Sequence, residues 1–598
     1  MRIISLTLFG LFIFNQINAQ NNWYVNYSIG NDNNNGTSEN SPFKTVEYVA
    51  DNILQPGDTL FIIGEYVNSS YNPNYVYNAE NDIHLWHAEN TISINNLHGT
   101  PSNYITIKAY TNDPLNPTII KGDGANVFRV RNSSYLRIEG LEIMGEVNNI
   151  PMSTANALQF VYIDADNLTG TEYAPNISDI KYRDQEGSIP NVIDENEVYP
   201  DLSFVNVKRP SYVDTRGMYV SNNVHHLEIV NNLIHHTPGN GLRISGGKYF
   251  TISGNEVHNC SRRSYSGTHG FVVTKTEPTL NENDTSIYIH SNNIHHNYNE
   301  QFSWAPTKTI ITPIIDEGKG ISLQRNNTPE WISGNGRILV ENNLCYWNGF
   351  SGVHSNDGFK IDFINNTSFM NSYTNTVTYA NTTQQGKNIG ISASGGDDIK
   401  MINNISVIDA TWGGYAISTT PDIDTLEVEN NVIYGVNDTL QFDSDVINTE
   451  VNTIIADPLF VDAPFTWNNS SYNFDFNVLS SSVVIDGANH NYAPITDYFG
   501  NNRDLSPDIG AIEFIEDVTN VVPISDKGNV SIYPNPGKDL IRISTNNLIE
   551  EVKITNMNGQ IVMKSNNEQI DISILKPGIY QVIISTQEDV FVKPLVKL

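Results

Sequence analysis

The sequence predicts an all-β chain: a long parallel β-helix followed by a small, separate β domain at the C-terminus. Three observations predict it. A phrase made of an alternating apolar stretch, an asparagine corner and a second apolar stretch recurs through the middle of the chain. A second phrase, a glycine followed by alternating apolar and variable residues, precedes most copies of the first. A polar connector at 515–529 then separates this repeat from a tail with a different strand pattern.

Taken from the N-terminus, residues 1–19 (MRIISLTLFGLFIFNQINA) carry Arg2, an apolar run from Ile3 to Phe14 and a small residue at Ala19. The run is too short to span a bilayer and has the layout of a signal peptide cut after Ala19. No later segment approaches the roughly 18 apolar residues of a membrane span, so no transmembrane segment is expected. Only Cys260 and Cys345 occur; one bridge is conceivable and a disulfide scaffold is excluded.

The repeat reads LEIVNNLIHH (227–236), FTISGNEVHN (250–259), IYIHSNNIHHN (287–297), ILVENNLCYWN (338–348), IDFINNTSFMN (361–371), IKMINNISVID (399–409) and LEVENNVIYG (426–435). The aligned asparagines are Asn232, Asn255, Asn293, Asn343, Asn366, Asn404 and Asn431, separated by 23, 38, 50, 23, 38 and 27 residues. The short steps suit one β-helix coil of three strands. Asparagine tolerates left-handed backbone, and its amide can pair with copies in neighbouring coils. The long steps imply loops at about 260–286, 298–318 and 371–388 that wall a groove. Weaker coils precede the block at 104–113 and 135–147.

The 598 residues are 39% hydrophobic and 10% aromatic, enough for a large core, with a formal charge of −33. That charge excludes nucleic acid as a main partner. An acidic substrate would need a local basic patch or a bridging cation.

The glycine phrase is RGMYVS (216–221), NGLRIS (240–245), HGFVVT (269–274), KGISLQ (319–324), SGVHSN (351–356) and IGISAS (389–394). Strand alternation turns the second residue after each glycine outward, giving a column Tyr219, Arg243, Val272, Ser322, His354, Ser392. The next outward column is Ser221, Ser245, Thr274, Gln324, Asn356, Ser394. The residues before the glycines stack at the corner: Arg216, Asn240, His269, Lys319, Ser351, Ile389. Arg216, Arg243, His269, Lys319 and His354 therefore share one face, with Asp316, Glu317 and Asp357 on the adjoining turns. Nine histidines lie between 225 and 296, but His235, His258 and His295 share a slot later filled by Tyr346, Phe369 and Tyr434. A slot that takes histidine or an aromatic ring reads as stacking rather than metal binding.

The opening NWYVNYSIGNDNNNGTSENSPFKTVEYVADNILQPGDTLFIIGEYV resembles that of secreted right-handed β-helix proteins of the pectin-lyase-like superfamily. The resemblance implies a short helix at 44–54 capping the open end, PGDTL starting the first coil, and VIDGANHN through RDLSPDIGAIEF (484–514) as the closing coil. The domain so implied is 20–514. YPNP (533–536), NGQIV (558–562) and LKPGIYQV (575–582) resemble the C-terminal sorting domain of the type IX secretion system of Bacteroidetes, here 530–598 after the 515–529 linker. That implies a small β-sandwich-like domain, partnership with the export machinery, and a secreted or surface-attached protein, expected to be a monomer.

The superfamily is rich in polysaccharide lyases and also holds glycoside hydrolases. The resemblance implies β-elimination on an anionic, uronic-acid-containing polysaccharide such as ulvan, alginate or pectate. Such chemistry needs the carboxylate neutralised, a base for the C5 proton and an acid for O4. Asp316, Glu317 and Asp357 are candidate Ca²⁺ ligands, with Arg243 as the alternative neutralising group. Lys319 is the first choice of base and His354 the second, with His269 and Arg243 completing the catalytic group. Arg216, Tyr219, Gln324 and Asn356 are expected to bind substrate. The alternatives are a hydrolase pairing Asp316 or Glu317 with Asp357, and a non-catalytic carbohydrate binder with Tyr219 and Trp347 as aromatic platforms.

Overall fold

The computed structural model describes residues 20–69, 90–110, 117–151, 161–163, 180–182, 213–264, 268–300, 317–372, 388–411, 413–441, 450–466, 474–515, 530–535, 537–545, 548–556, 561–586 and 590–597. The signal-peptide reading, most of the linker, residues 265–267 and most of the loops expected at 298–318 and 371–388 lie outside them; the loop expected at 260–286 is otherwise described and contains the strand Phe271–Thr274. The chain divides into two compact units, Met1–Phe514 and Ile515–Leu598.

The first unit is a right-handed parallel β-helix with three strands per coil, as in Arg216–Ser221, His225–Val230 and Leu233–His235. Each strand pairs in parallel with its counterpart one coil on: Met218 with Leu242, Leu227 with Phe250, Ile234 with Val257. Inward positions are apolar and closed to solvent, including Met218, Val220, Leu242, Ile244, Phe271, Val273, Ile321 and Leu323. Each such side chain contributes about 1.5–3 kcal/mol of burial, so the continuous core is what holds the coils in register. The helix Val46–Asn52 lays Val46, Val49 and Ala50 onto this core, while the Glu47 carboxylate accepts the Ser93 N–H at 2.8 Å. The first strand is Asn22–Val25, which precedes that helix and pairs with Thr59–Ile62; the helix is thus inserted after the first strand rather than ahead of all of them.

Asparagines form an internal ladder. Each amide Nδ2 donates to the next Oδ1, from Asn232 to Asn255, Asn292, Asn343, Asn366, Asn404 and Asn431, at 2.9–3.1 Å. The third rung is Asn292, not the expected Asn293, which instead begins the next strand. The steps are therefore 23, 37, 51, 23, 38 and 27 residues. The left-handed turn belongs to the preceding residue, as at Asn231, Asn342, Asn365, Asn403 and Asn430. A second ladder runs Asn297, Asn348, Asn371. Asn366 is fully buried, donates to Val340 O and Asn404 Oδ1, and accepts from the backbone and side chain of Asn343. Asn366→Ala strands these partners in a dry interior and is expected to destabilise the unit by about 1–3 kcal/mol, read as a lower urea midpoint at unchanged slope.

The rings of His235, His258, His295 and Tyr346 stack at 5.1, 5.0 and 4.8 Å with interplanar angles of 5°, 3° and 12°. Burial brings His258 and His295 down to about 3, so these two rings are neutral and behave as aromatic packing. Cys260 and Cys345 are both free thiols in the interior.

Residues 484–514 do not close a coil. They return along the outside of the stack formed by the third strands. There they accept the amides of the left-handed corner asparagines: Asn430 onto Gly487 O (2.9 Å), Asn403 onto Asn489 O (3.0 Å), Asn342 onto Thr496 O (2.7 Å) and Asn365 onto Asp508 O (2.8 Å). Val484, Ile509, Ala511 and Ile512 pack on Tyr346, Phe369, Met370 and Val407. The reason is satisfaction: outward-facing corner amides and aromatic rings need a cover, and this strap supplies carbonyls and aliphatic carbon together. Trp347 is buried in the same layer and so offers no platform for a sugar.

The second unit has a three-stranded and a four-stranded antiparallel sheet enclosing Ile541, Ile543, Val552, Ile554, Val582, Ile584 and Leu595. This is the two-layer arrangement of a small β-sandwich.

Candidate functional site

The first strands of the coils carry the site. Their leading glycines are set by close stacking: a Cβ at Gly241 would lie 2.7 Å from the Gly270 carbonyl. The register follows the expected outward columns. Tyr219 pairs with Arg243, Arg243 with Val272, Val272 with Ser322, Ser322 with His354 and His354 with Ser392. Ser221, Ser245, Thr274, Gln324, Asn356 and Ser394 form the second column by the same pairings.

The columns also extend one coil earlier. Arg129 pairs with Tyr219 and Arg131 with Ser221. Neither was singled out from sequence, because NVFRVR (126–131) lacks the leading glycine of the repeat. The alternation of Phe128 and Val130 inward against Arg129 and Arg131 outward was the available signal.

Four of these side chains make a compact basic centre. The guanidiniums of Arg129 and Arg216 lie 4.2 and 5.1 Å from the centre of the Tyr219 ring. Arg129 Nη2 donates to Ser221 Oγ at 2.8 Å, and the Tyr219 phenol is engaged by Ser221 and by the Arg243 guanidinium. Burial alone would raise the phenol. The charges of Arg216, Arg243 and Arg129 outweigh it and hold Tyr219 below the usual tyrosine value. Burial, with repulsion from Arg216, pushes the Arg243 guanidinium down from its usual value. Burial likewise lowers Arg129, helped by Arg131 and Arg216. Among the described residues no carboxylate pairs with Arg129, Arg216 or Arg243. The Nε atoms of Arg129 and Arg216 are buried without a hydrogen-bond partner.

A second group lies further along the same face. Lys319 Nζ sits 3.1 Å from Glu317 Oε2 and 4.8 Å from the centre of the Phe350 ring. His269, expected among the catalytic group, is closed to solvent in this structure. Its Nδ1 accepts the Lys319 backbone N–H at 3.2 Å, and its Nε2 lies 3.2 Å from Glu317 Oε2 and 2.8 Å from Gln324 Nε2. Burial, and after it the Lys319 charge, hold His269 well below its usual value, so it is neutral. His354 is partly exposed, and its Nδ1 lies 2.8 Å from Ser392 Oγ. Burial and Lys319 keep it neutral at physiological pH.

Lys319, the expected base, lies against a carboxylate and an aromatic ring. The two proposed Ca²⁺ ligands among the described residues, Glu317 and Asp357, do not come together. Asp316 lies outside the described residues, and Glu317 is engaged by Lys319 and His269. Asp357 is in register one residue past the Gln324–Asn356 pair, at the opposite end of the strand from Glu317, and turns beside Gly395 in left-handed backbone. The same separation breaks the expected Glu317–Asp357 hydrolase pair. No group of three histidine, cysteine or acidic residues among the described residues is placed to hold a metal.

Residues 531–597 match the family described as secretion system C-terminal sorting domain. No curated protein matches the chain. Similar solved structures include the GH136 lacto-N-biosidase from Eubacterium ramulus, at 13% identity over 73% of this chain with a TM-score of 0.33. The chain covers 65% of that enzyme. Others are the family 28 exopolygalacturonase of Yersinia enterocolitica (11% identity, 69% of this chain, 72% of that one, TM-score 0.31) and the mannuronan C-5 epimerase AlgE6 A-module of Azotobacter vinelandii (13%, 67%, 91%, 0.27). Likenesses this distant assign no activity here. No described helix is long and apolar enough to cross a membrane. The chain is a right-handed parallel β-helix protein that ends in a type IX secretion sorting domain, which directs it out of the cell or onto its surface.

Proposed function

We propose that the protein is a secreted polysaccharide lyase that cleaves a uronic-acid-containing polymer by β-elimination. The observation that supports this reading is the arginine centre: Arg129, Arg216 and Arg243 converge on one spot of a chain whose formal charge is −33, and none has a carboxylate partner among the described residues. Three mutually repelling, partly desolvated cations are completed by an anion, and a uronate carboxylate fits the bidentate fork of arginine. Neutralising that carboxylate acidifies the adjacent C5–H, the demand that separates a lyase from a hydrolase.

The repeated face suits a polymer lying along the helix axis, with Lys319, Gln324, His354 and Asn356 contacting units further down the groove. In this reading the arginines take the place that Ca²⁺ would have filled, since Glu317 and Asp357 lie at opposite ends of the strand. The test is to incubate the secreted protein with alginate, pectate and ulvan, following ultraviolet absorbance of unsaturated uronate and reducing ends, with and without EDTA. Both signals are expected on one polymer, unchanged by EDTA. Reducing ends without absorbance would replace the lyase by a hydrolase, and loss of activity in EDTA would return the role of the arginines to a cation.

A further inference from the structure

We infer that Tyr219 is the residue that removes the C5 proton and returns it to the departing O4, a role that rests on the lyase reading and that the arginine centre equips it to perform. The argument begins with distance. Counted from Arg243, the arginine nearest to them, Lys319 lies two coils on and His354 three, about 10 and 14 Å at the spacing of paired strands. Proton transfer needs roughly 3 Å between heavy atoms, or one bridging water. A sugar whose carboxylate is held by Arg129, Arg216 and Arg243 is therefore out of reach of both. Lys319 Nζ is taken up by Glu317 and Phe350, and the His354 ring turns to Ser392 of the next coil.

Tyr219 is the titratable group within the arginine centre that can give up a proton at a workable pH. It is partly exposed on the outward face, while its strand neighbours Met218 and Val220 anchor the backbone in the core. Its oxygen is engaged by Ser221, which is itself fixed by Arg129 Nη2, and by Arg243. This set stabilises a phenolate as donors around an oxyanion do. Three guanidiniums lower the phenol in support of that geometry. The same charges that hold the uronate thus activate the base beside it.

The step balances with this one side chain. The phenolate oxygen bonds the C5 proton, the C5–H electron pair becomes the C4–C5 double bond, and the C4–O4 bond breaks with its pair on O4. The phenol then hands its proton to O4, regenerating the phenolate. Proton removal and delivery fall on the same face of the sugar ring, and no cofactor or co-reactant is consumed.

The experiment compares full-length wild type with Tyr219→Phe on whichever polymer of the alginate, pectate and ulvan panel the wild type cleaves, with circular dichroism confirming that both are folded. Loss of the acid–base group is expected to lower kcat about 100- to 10,000-fold with KM little changed. In the wild type, kcat/KM is expected to rise with pH through an ionisation below the ordinary tyrosine value of about 10. A phenolate absorbance titrating over that range should vanish in Tyr219→Phe. An active wild type whose Tyr219→Phe variant keeps more than about a tenth of the rate would overturn the role of Tyr219 and leave the lyase reading standing. A wild type that forms unsaturated product from none of the three polymers would overturn both.

Discussion

Arg243→Ala is expected to lower kcat about 100- to 1,000-fold, the usual cost of removing one preorganised charge donor from the place where negative charge develops. The carboxylate gains charge as the C5 proton leaves, so the loss should fall mainly on kcat rather than on KM. Arg243 also engages the Tyr219 phenol, so the variant is expected to move the ascending limb of the pH profile to higher pH. The sign follows from the environment: removing a cation removes the influence that holds the phenol down, while burial, which raises it, remains. Arg243→Lys keeps the charge but not the planar fork, and is expected to fall between wild type and alanine. Initial rates over a substrate series at several pH values check this. A loss under about tenfold for alanine would move the substrate carboxylate away from Arg243.

Arg503→Met is expected to cost about 3–5 kcal/mol, because it removes one partner of a buried ion pair and strands the other. Arg503 and Glu513 side chains are 2% and 5% exposed and lie 2.7 Å apart. Arg503 also donates to the Asp508 carbonyl, the Gly510 carbonyl and Asn342 Oδ1, so it pins the strap to a corner of the β-helix. The variant should lower the urea midpoint and open residues 484–514 to proteolysis. The double variant Arg503→Met/Glu513→Leu removes both charges and should recover part of the loss. Equal stability of Arg503→Met and wild type would show that the strap is held by its apolar layer alone.

Much of the architecture was legible because it is local and periodic. Glycine followed by alternating residues named both outward columns, and every pairing along them from Tyr219 to Ser392 follows that alternation. The histidine slot was legible for the same reason, since His235, His258 and His295 recur at one place in the repeat. The third ladder rung was not, because SNNIHHN offers two adjacent asparagines, and only the hydrogen bonds to Asn255 and Asn343 select Asn292. The strap was hidden by distance along the chain: Asn342 and Arg503 are 161 residues apart.

For the candidate site, alternation was enough to place the residues on one face, and only the coil count sorts them into groups. Arg216, Arg243, Lys319 and His354 share that face, yet coil counting separates the arginines from the other two by more than one sugar. Tyr219, expected only to bind, sits where the charge converges. Arg129 was missed because its strand carries no glycine. Lys319 reads as a base from composition, and its contacts with Glu317 and Phe350 become visible only in the fold.

The most direct test of the central claim is to cleave a defined uronate oligosaccharide in oxygen-18 water and weigh the products. β-Elimination predicts an unsaturated non-reducing end and product masses that sum to that of the substrate, with no label gained in the cleavage step. Saturated products carrying oxygen-18 from that step would contradict it and assign the groove to hydrolysis.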